Sequence, residues 1–437
     1  MAHSFKKLAL AGLLSSQIFM QASAQTEIQW WHSMDGSLTA WVNDLANEFN
    51  QSQSEYKIVP VYKGEYDQSM TAGIAAYRAG AAPDILQVYE VGTASMVYSK
   101  GVTKSVTEIM SENGVPFDPE SYIPAVAGYY TAPSGEMLSL PFNSSTTVMF
   151  YNKDAFKAAG LDPDNAPKTW TELREVTQAL KASGSSCPMT ISWMGWTQLE
   201  SFSAWHDVPY ASQNNGFNGL SAELQFNSDL HVKHFENLAD MAKEKLFVYK
   251  GRASVPTTNF LSGECAIFIG SSASYSSIQT DAKFAFGETT LPYYDDVPNA
   301  PKNTIIGGAS LWVMNGKPES HYKGIAQFFA YISEPEVQAK SHMRTGYLPV
   351  TLKAFEMTEN SGFYEKNPGA NVPVEQMIRK TSDRTRGIRL GNMLQIRTII
   401  DEETEQIWTG KKSPKEALDT AVKRGNTLLR RFESVNQ

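Results

Sequence analysis

Apolar positions along this chain follow two periods in turn. Thr26 to Trp31 reads as a strand, and Leu38, Trp41, Val42, Leu45, Ala46 and Phe49 then fall at i, i+3, i+4, i+7, i+8 and i+11. That spacing predicts a helix with one buried face. Tyr56 to Tyr62 is a second β-rich run. Its Pro60 has no N–H to give a ladder, which favours an edge position or a strand end. Gln68 to Arg78 predicts a helix that closes on Gly80, and Asp84 to Tyr89 predicts a compact buried strand. The order β-α-β-α-β implies a parallel sheet with helices on its faces, and ligands in such sheets sit beyond the carboxyl ends of the strands. Tyr66 and Glu90 both follow strand-like runs, near where that crevice falls.

The rest of the chain turns on Leu140 to Phe156. An apolar run ends in a polar elbow, Asn143-Ser144-Ser145, before a second β-rich run, Val148 to Tyr151; Asn152-Lys153-Asp154 then breaks into a helix. Two readings stay open: a crossing between two lobes with hydroxyls facing a ligand, or a plain loop between two strands of one sheet. Beyond it the α/β pattern restarts. Thr169 with Glu172 forms a capping box for a helix to about Lys181. Ile191 to Trp205 is rich in aromatics, and Cys265 to Ile269 is a buried strand running into Gly270-Ser271-Ser272. Thr304 to Met314 predicts a strand holding Gly307-Gly308; Ile325–Ile332 and Asn392–Trp408 predict helices, and Ser413 with Glu416 opens a terminal one. Two α/β units with late segments returning suggest lobes joined by more than one crossing, with a cleft that closes by hinge bending.

The first residues change the compartment. Lys6 and Lys7, the apolar Leu8 to Met20 and the small Ala22-Ser23-Ala24 make residues 1–24 a secretory signal peptide, with the mature chain starting at Gln25. No later apolar run approaches the roughly 20 residues a membrane helix needs. Of 437 residues, 413 then remain, with 36 basic and 46 acidic side chains and a net charge near −10. That acidity argues against nucleic acid and against a polybasic membrane contact. A soluble exported protein is the expectation. Cys187 and Cys265 either pair or lie separately buried, and two thiols make no zinc or iron–sulfur framework.

Enzymatic signatures are mostly absent: the sequence has no phosphate-binding P-loop, no H-E-x-x-H and no G-x-S-x-G. His231 and His234, with Glu236 close by, are half of a metal site or a solvated helix face; His32 is a lone base or a bystander. The stronger signal is a set of anion donors. Gly270-Ser271-Ser272 follows a strand and opens a helix, where amides favour an anion, although local capping uses the same residues. Asn143-Ser144-Ser145 offers hydroxyls, and Gly307-Gly308 permits close backbone approach. Arg397, on a largely apolar helix, either grips a phosphate or pairs with Asp401 or Glu402. Trp193, Trp196 and Tyr347 form either an apolar floor for a ligand or core.

Trp31-His-Ser-Met34, Ile85-Leu-Gln-Val-Tyr-Glu-Val-Gly-Thr93, Pro141-Phe-Asn-Ser-Ser145, Tyr151-Asn-Lys-Asp-Ala-Phe156, Ile305 to Met314, Thr345-Gly-Tyr-Leu-Pro349 and Arg389-Leu-Gly-Asn-Met393 carry a resemblance that covers nearly the whole mature chain. It resembles the periplasmic glycerol-3-phosphate-binding members of the extracellular solute-binding proteins of ABC importers, a family that also includes maltose-binding proteins. It departs from them at Leu394, where proline is common, and over Lys380 to Arg386.

The resemblance implies an α/β, two-lobed type II periplasmic binding protein fold with the ligand between the lobes. Lobe I would be 25–143 and 306–350, and lobe II 144–305 and 351–437. By the same resemblance Ser145, Ser271, Tyr347, Arg397 and the Gly308 amide hold a phosphate, Glu90 and Tyr66 take glycerol hydroxyls at the other end, and Trp193 lies on the carbons. The expected function is capture of sn-glycerol 3-phosphate, and of glycerophosphodiesters such as glycerophosphocholine. The protein would deliver them as a periplasmic monomer to a membrane permease and its ATPase, without cofactor, metal or catalysis. An oligosaccharide ligand and an exported phosphodiesterase or phosphatase are the alternatives.

Overall fold

The computed structural model describes residues 25–132 and 134–437, so the expected signal peptide lies outside the described residues. Nine strands are found among the described residues: β1 Thr26–His32, β2 Tyr56–Tyr62, β3 Ile85–Tyr89, β4 Thr103–Lys104, β5 Leu140–Asn152, β6 Cys187–Ile191, β7 Cys265–Ser271, β8 Phe286–Thr289 and β9 Ile306–Met314. They order as β2-β1-β3-β9-β5-β7-β6, with β4 on β9 and β8 on β5. β1 runs parallel to both β2 and β3, as the alternating pattern predicts. β2 is the end of the path, where the missing N–H of Pro60 leaves no partner short. The first helix, Gly36–Ser52, buries Trp41, Val42, Leu45, Ala46 and Phe49.

Two features depart from the expected pattern. β9, late in sequence, inserts antiparallel between β3 and β5, so the first sheet is mixed. The polar elbow is no loop: β5 runs unbroken through Asn143, Ser144 and Ser145, all three buried, with a bulge between Pro141 and Asn143. Polar side chains stay in the strand because backbone pairing to β9 satisfies their peptides and Asn143 has side-chain partners of its own. β5 does change sheets: Leu140 to Thr146 pairs with β9, and Thr147 to Tyr151 pairs with β7.

Each sheet half carries its own core. Trp30, Val42, Phe49, Ile325 and Phe328 pack beneath the first, and Met149, Leu173, Leu238, Phe247 and Ile267 beneath the second. Each fully buried side chain of this size stabilises by about 1.5–3 kcal/mol relative to exposure. A third cluster, with Leu199, Tyr210, Ile396 and Leu418, fastens the helices Met393–Trp408 and Pro414–Asn436. Cys187 and Cys265 are register partners on β6 and β7 and are joined in a disulfide.

The expected solvated face of His231 and His234 is a buried one. The helix Asp229–Lys243 turns them inward, where His231 bonds Ser203 and Ser228 and His234 bonds Gln198 and Tyr294. Polar partners on both ring nitrogens make that burial tolerable. Burial holds both imidazoles far below their ordinary pKa, so they are neutral. Among the described residues no group of three His, Cys, Asp or Glu side chains stands where a metal would bind.

Candidate functional site

The two sheet halves face each other across a cavity of about 350 Å³. Tyr66, Glu90, Ser145, Trp193, Ser271, Gly308, Tyr347 and Arg397 all line it, as do Trp196 and Gly307.

Part of the lining is built from neutral donors. Ser145 sits on β5 opposite Gly307, and Ser271 closes β7 opposite Thr147, so the hydroxyl-bearing residues come from adjacent strands. Gly308 has φ +88°, and a Cβ there would lie 1.8 Å from the Asn143 carbonyl oxygen. Only glycine fits that close approach of β9 to the bulge in β5. Tyr347 follows the helix Pro335–Thr345, which ends on Gly346 in the left-handed conformation. Its loop is tied down because Leu348 N–H donates to the Ser144 carbonyl at 2.7 Å. Tyr66 opens the helix Tyr66–Arg78 and stacks on Tyr89 with ring centroids 5.1 Å apart.

The Tyr66 hydroxyl accepts from Asn143 Nδ2 at 2.8 Å, and Gln87 Nε2 donates to Asn143 Oδ1 at 2.7 Å. The Gln87 Oε1 in turn accepts from Ser33 N–H. This buried chain of amides, which sequence reasoning missed, fixes where the phenol points. Burial raises the Tyr66 phenol well above its ordinary pKa and pushes Tyr347 up to about 12, so both remain protonated donors. Ser271 Oγ also accepts from Ala273 N–H at 3.2 Å, so the capping role of this serine is present as well.

An ionic cluster lines the same cavity, and it corrects the sequence reading twice. Arg397 pairs with neither Asp401 nor Glu402. Its Nε and Nη2 donate to the two carboxylate oxygens of Glu200 at 2.7 Å each, and Nη2 also donates to Glu90 Oε1 at 2.7 Å. Glu402 instead takes Arg424, and Asp401 lies beside the Arg252–Glu405 pair. Glu90, expected apart from Arg397, is therefore on it. A buried guanidinium must be neutralised, and the turn after β3 brings Glu90 within reach. Burial works against the charge of Arg397, but Glu200 and Glu90 outweigh it and hold the group firmly cationic. Glu90, with the single bond, has its pKa raised by burial against the pull of Arg397.

Glu200 was not anticipated. It ends a π-helical turn, Trp196–Glu200, a geometry that concentrates at functional sites. Just before it Trp193 holds φ +51°, a left-handed conformation that a bulky residue rarely keeps without reason. Beyond Arg397 and Trp193 a second chamber of about 430 Å³ adjoins the first, lined also by Leu394, Thr398, Asp401 and Arg252. His32 stays out of this chemistry: it is buried, accepts from Met34 N–H, and burial lowers its pKa to about 4.

Two sheet halves exchanging strands around a cleft, with donors from both, define a ligand-binding protein that holds its ligand between lobes. Residues 44–372 match the family model of bacterial extracellular solute-binding proteins, and the chain belongs to that family. It is 54% identical over 437 residues to the sn-glycerol-3-phosphate-binding periplasmic protein UgpB of Yersinia enterocolitica, covering 100% of this chain and 99% of the relative. The protein of the same name from Salmonella typhimurium is 53% identical over 436 residues, covering 99% of each.

Among solved structures, UgpB from Mycobacterium tuberculosis in complex with glycerophosphocholine superposes with a TM-score of 0.80 at 22% identity, covering 93% of this chain and 99% of that one. The sugar-binding protein MalE from Xanthomonas citri superposes with 0.73 at 19% identity, covering 94% and 99%. The fold is thus the two-lobed one of periplasmic binding proteins, and the chain is a substrate-binding component of an ABC importer.

Proposed function

We propose that this protein captures sn-glycerol 3-phosphate, and glycerophosphodiesters such as glycerophosphocholine, and delivers them to the membrane permease and ATPase of its importer. The observation that carries this reading is the convergence of Ser145, Ser271, Tyr347 and the left-handed Gly308 on one cavity with the guanidinium of Arg397. A phosphate ester needs several aimed donors in a water-poor cleft. In this reading those five residues hold the phosphate. Glu90 and Tyr66 take the glycerol hydroxyls, and the Trp193 ring covers the carbons. The adjoining chamber supports room for the second alcohol of a diester. The names of relatives more than half identical over their full length support the choice of ligand.

The lobe assignment, 25–143 with 306–350 against 144–305 with 351–437, goes with this reading and is supported by the change of partners within β5. So does export to the periplasm through residues 1–24. We read the protein as a monomer that binds without catalysis and takes no nucleic acid. Isothermal titration of the mature chain with glycerol 3-phosphate, glycerophosphocholine, maltose and inorganic phosphate tests the reading. Binding of the first two with maltose silent is expected. Maltose binding with both esters silent overturns it, and release of inorganic phosphate or choline during incubation overturns the non-catalytic part.

A further inference from the structure

Arg397 is the one guanidinium or ammonium lining the 350 Å³ cavity among the described residues, and two carboxylates already occupy it. Glu200 is 2% exposed and Glu90 6%, so neither charge is screened by water. Two carboxylates against one guanidinium leave one negative charge in surplus. A phosphomonoester above its second pKa, which is about 6, carries nearly two more. Like charges brought together in a low-dielectric cleft strongly disfavour their charged forms.

The neighbouring elements supply no relief. Asp35 and Glu65 line the same cavity. On the helix of Arg397 itself, Asp401 is pushed up to about 6 by burial, and the nearby Arg252 is spent on Glu405. Tyr89, Tyr129 and Tyr210 face the cluster as neutral phenols, each raised by burial.

We propose that Glu200 is a positioning and charge-selecting residue: its two-oxygen grip orients Arg397, and its charge makes the cleft accept phosphate esters bearing a single negative charge. Glycerol 3-phosphate therefore enters together with one proton drawn from solvent, which offsets the surplus charge while Glu90 still meets a glycerol hydroxyl. A phosphodiester, singly charged at its phosphate, enters without one. No covalent bond is made or broken, and the proton returns to solvent on release. Glu90 is the natural seat because it has one bond to Arg397 where Glu200 has two, and burial already raises its pKa.

This inference rests on the phosphate-ester reading above, and the test separates the two. The mature chain is titrated with glycerol 3-phosphate and with glycerophosphocholine between pH 7 and 9, above the range of Asp401. Each pH is run in two non-phosphate buffers of different ionisation enthalpy. Wild type takes up about one proton per glycerol 3-phosphate at pH 8, and its Kd weakens about tenfold per pH unit, while glycerophosphocholine binds with no proton and a nearly flat Kd. In Glu200→Gln proton uptake disappears and the Kd for glycerol 3-phosphate flattens. Glu200→Asp keeps the charge and loses the two-oxygen grip, so it retains the uptake with weaker binding. Binding of glycerol 3-phosphate by wild type without proton uptake overturns the proposal, as does a wild-type slope in folded Glu200→Gln. Should Glu200→Gln not fold, the contrast between the two esters in wild type decides. Failure of either ester to bind at any pH removes the phosphate-ester reading, and this inference with it.

Discussion

Replacing Arg397 with methionine tests the ionic core of the cleft directly. The guanidinium makes three bonds of 2.7 Å to two carboxylates that are 6% and 2% exposed. Methionine keeps much of the stem and removes all three, leaving Glu90 and Glu200 buried together with no cation. Removing one partner of a buried pair costs about 3–5 kcal/mol, because the orphaned charge keeps its desolvation cost. The loss depends on pH, and its sign is fixed. Without the cation, both carboxylates have folded-state pKa values above their unfolded value of about 4.3. A group raised in the folded state stabilises fully below its unfolded pKa and loses that contribution as pH rises through the folded value. Arg397→Met should therefore lose the full amount at pH 8 and distinctly less at pH 5. The triple variant Glu90→Gln, Glu200→Gln, Arg397→Met, with no buried charge, should recover most of the loss at pH 8. Urea denaturation followed by tryptophan fluorescence at both pH values reads all three proteins. Wild-type stability of Arg397→Met at pH 8, or an equal deficit at pH 5 and pH 8, would refute the buried triad.

Gly308→Ala forces a Cβ to within 1.8 Å of the Asn143 carbonyl at φ +88°, so the bulge in β5 and the Gly308 amide must shift. The left-handed conformation alone costs alanine about 1–2 kcal/mol. Stability should fall and titration with glycerol 3-phosphate should weaken; unchanged affinity would show that the amide plays no part in binding. Loss of the Cys187–Cys265 bond frees a 78-residue separation, worth about 4.5 kcal/mol by chain entropy, and the Cys187→Ser, Cys265→Ser protein should show a matching drop in its urea midpoint.

Five buried histidines set the acid limit. Burial lowers His32, His206 and His342 to about 4 and His231 to about 3, and holds His234 well below its ordinary value. Their contribution is complete above the unfolded pKa of about 6.5 and is lost as pH falls from there through the folded values. The raised carboxyls of Glu288, Glu90, Asp401 and Glu65 act in the opposite sense but are fewer. The urea midpoint should drop between pH 7 and pH 5, and an unchanged midpoint would mean these rings are not buried neutral.

The first sheet was legible because its signals are local. Apolar spacing marked the helix Gly36–Ser52, Pro60 marked an edge, and the capping boxes at Thr169 and Ser413 marked helix starts that the structure reproduces. Insertion of β9 between β3 and β5 was not legible. Its partners lie more than 150 residues away, and a short apolar run reads the same whether its ladder is parallel or antiparallel. The elbow misled for a related reason. Asn143, Ser144 and Ser145 look like a turn until Gln87 and Tyr66 partner the Asn143 side chain and pairing to β9 takes up the backbone of all three.

The same contrast divides the cleft. Ser271, Gly307 and Gly308 stand near strand ends and Tyr66 at a helix start, where sequence pattern is informative, and they converge with the mid-strand Ser145 on one cavity. Arg397 was placed on the right helix, but its ion-pair alternative named the wrong partners, because i+4 spacing offers Asp401 and says nothing about which face turns inward. Yet a signal was present. Glu200 is the only charged residue between Ile191 and Trp205, and Arg397 is alone on its own apolar stretch. A lone charge in an apolar segment is either exposed or paired, and burial without a partner costs several kcal/mol. Two such residues of opposite sign, 197 positions apart, are each other's most economical solution. Glu90, at the end of a fully buried strand, meets the same criterion. Matching isolated charges across buried segments is enough to assemble the triad from the sequence.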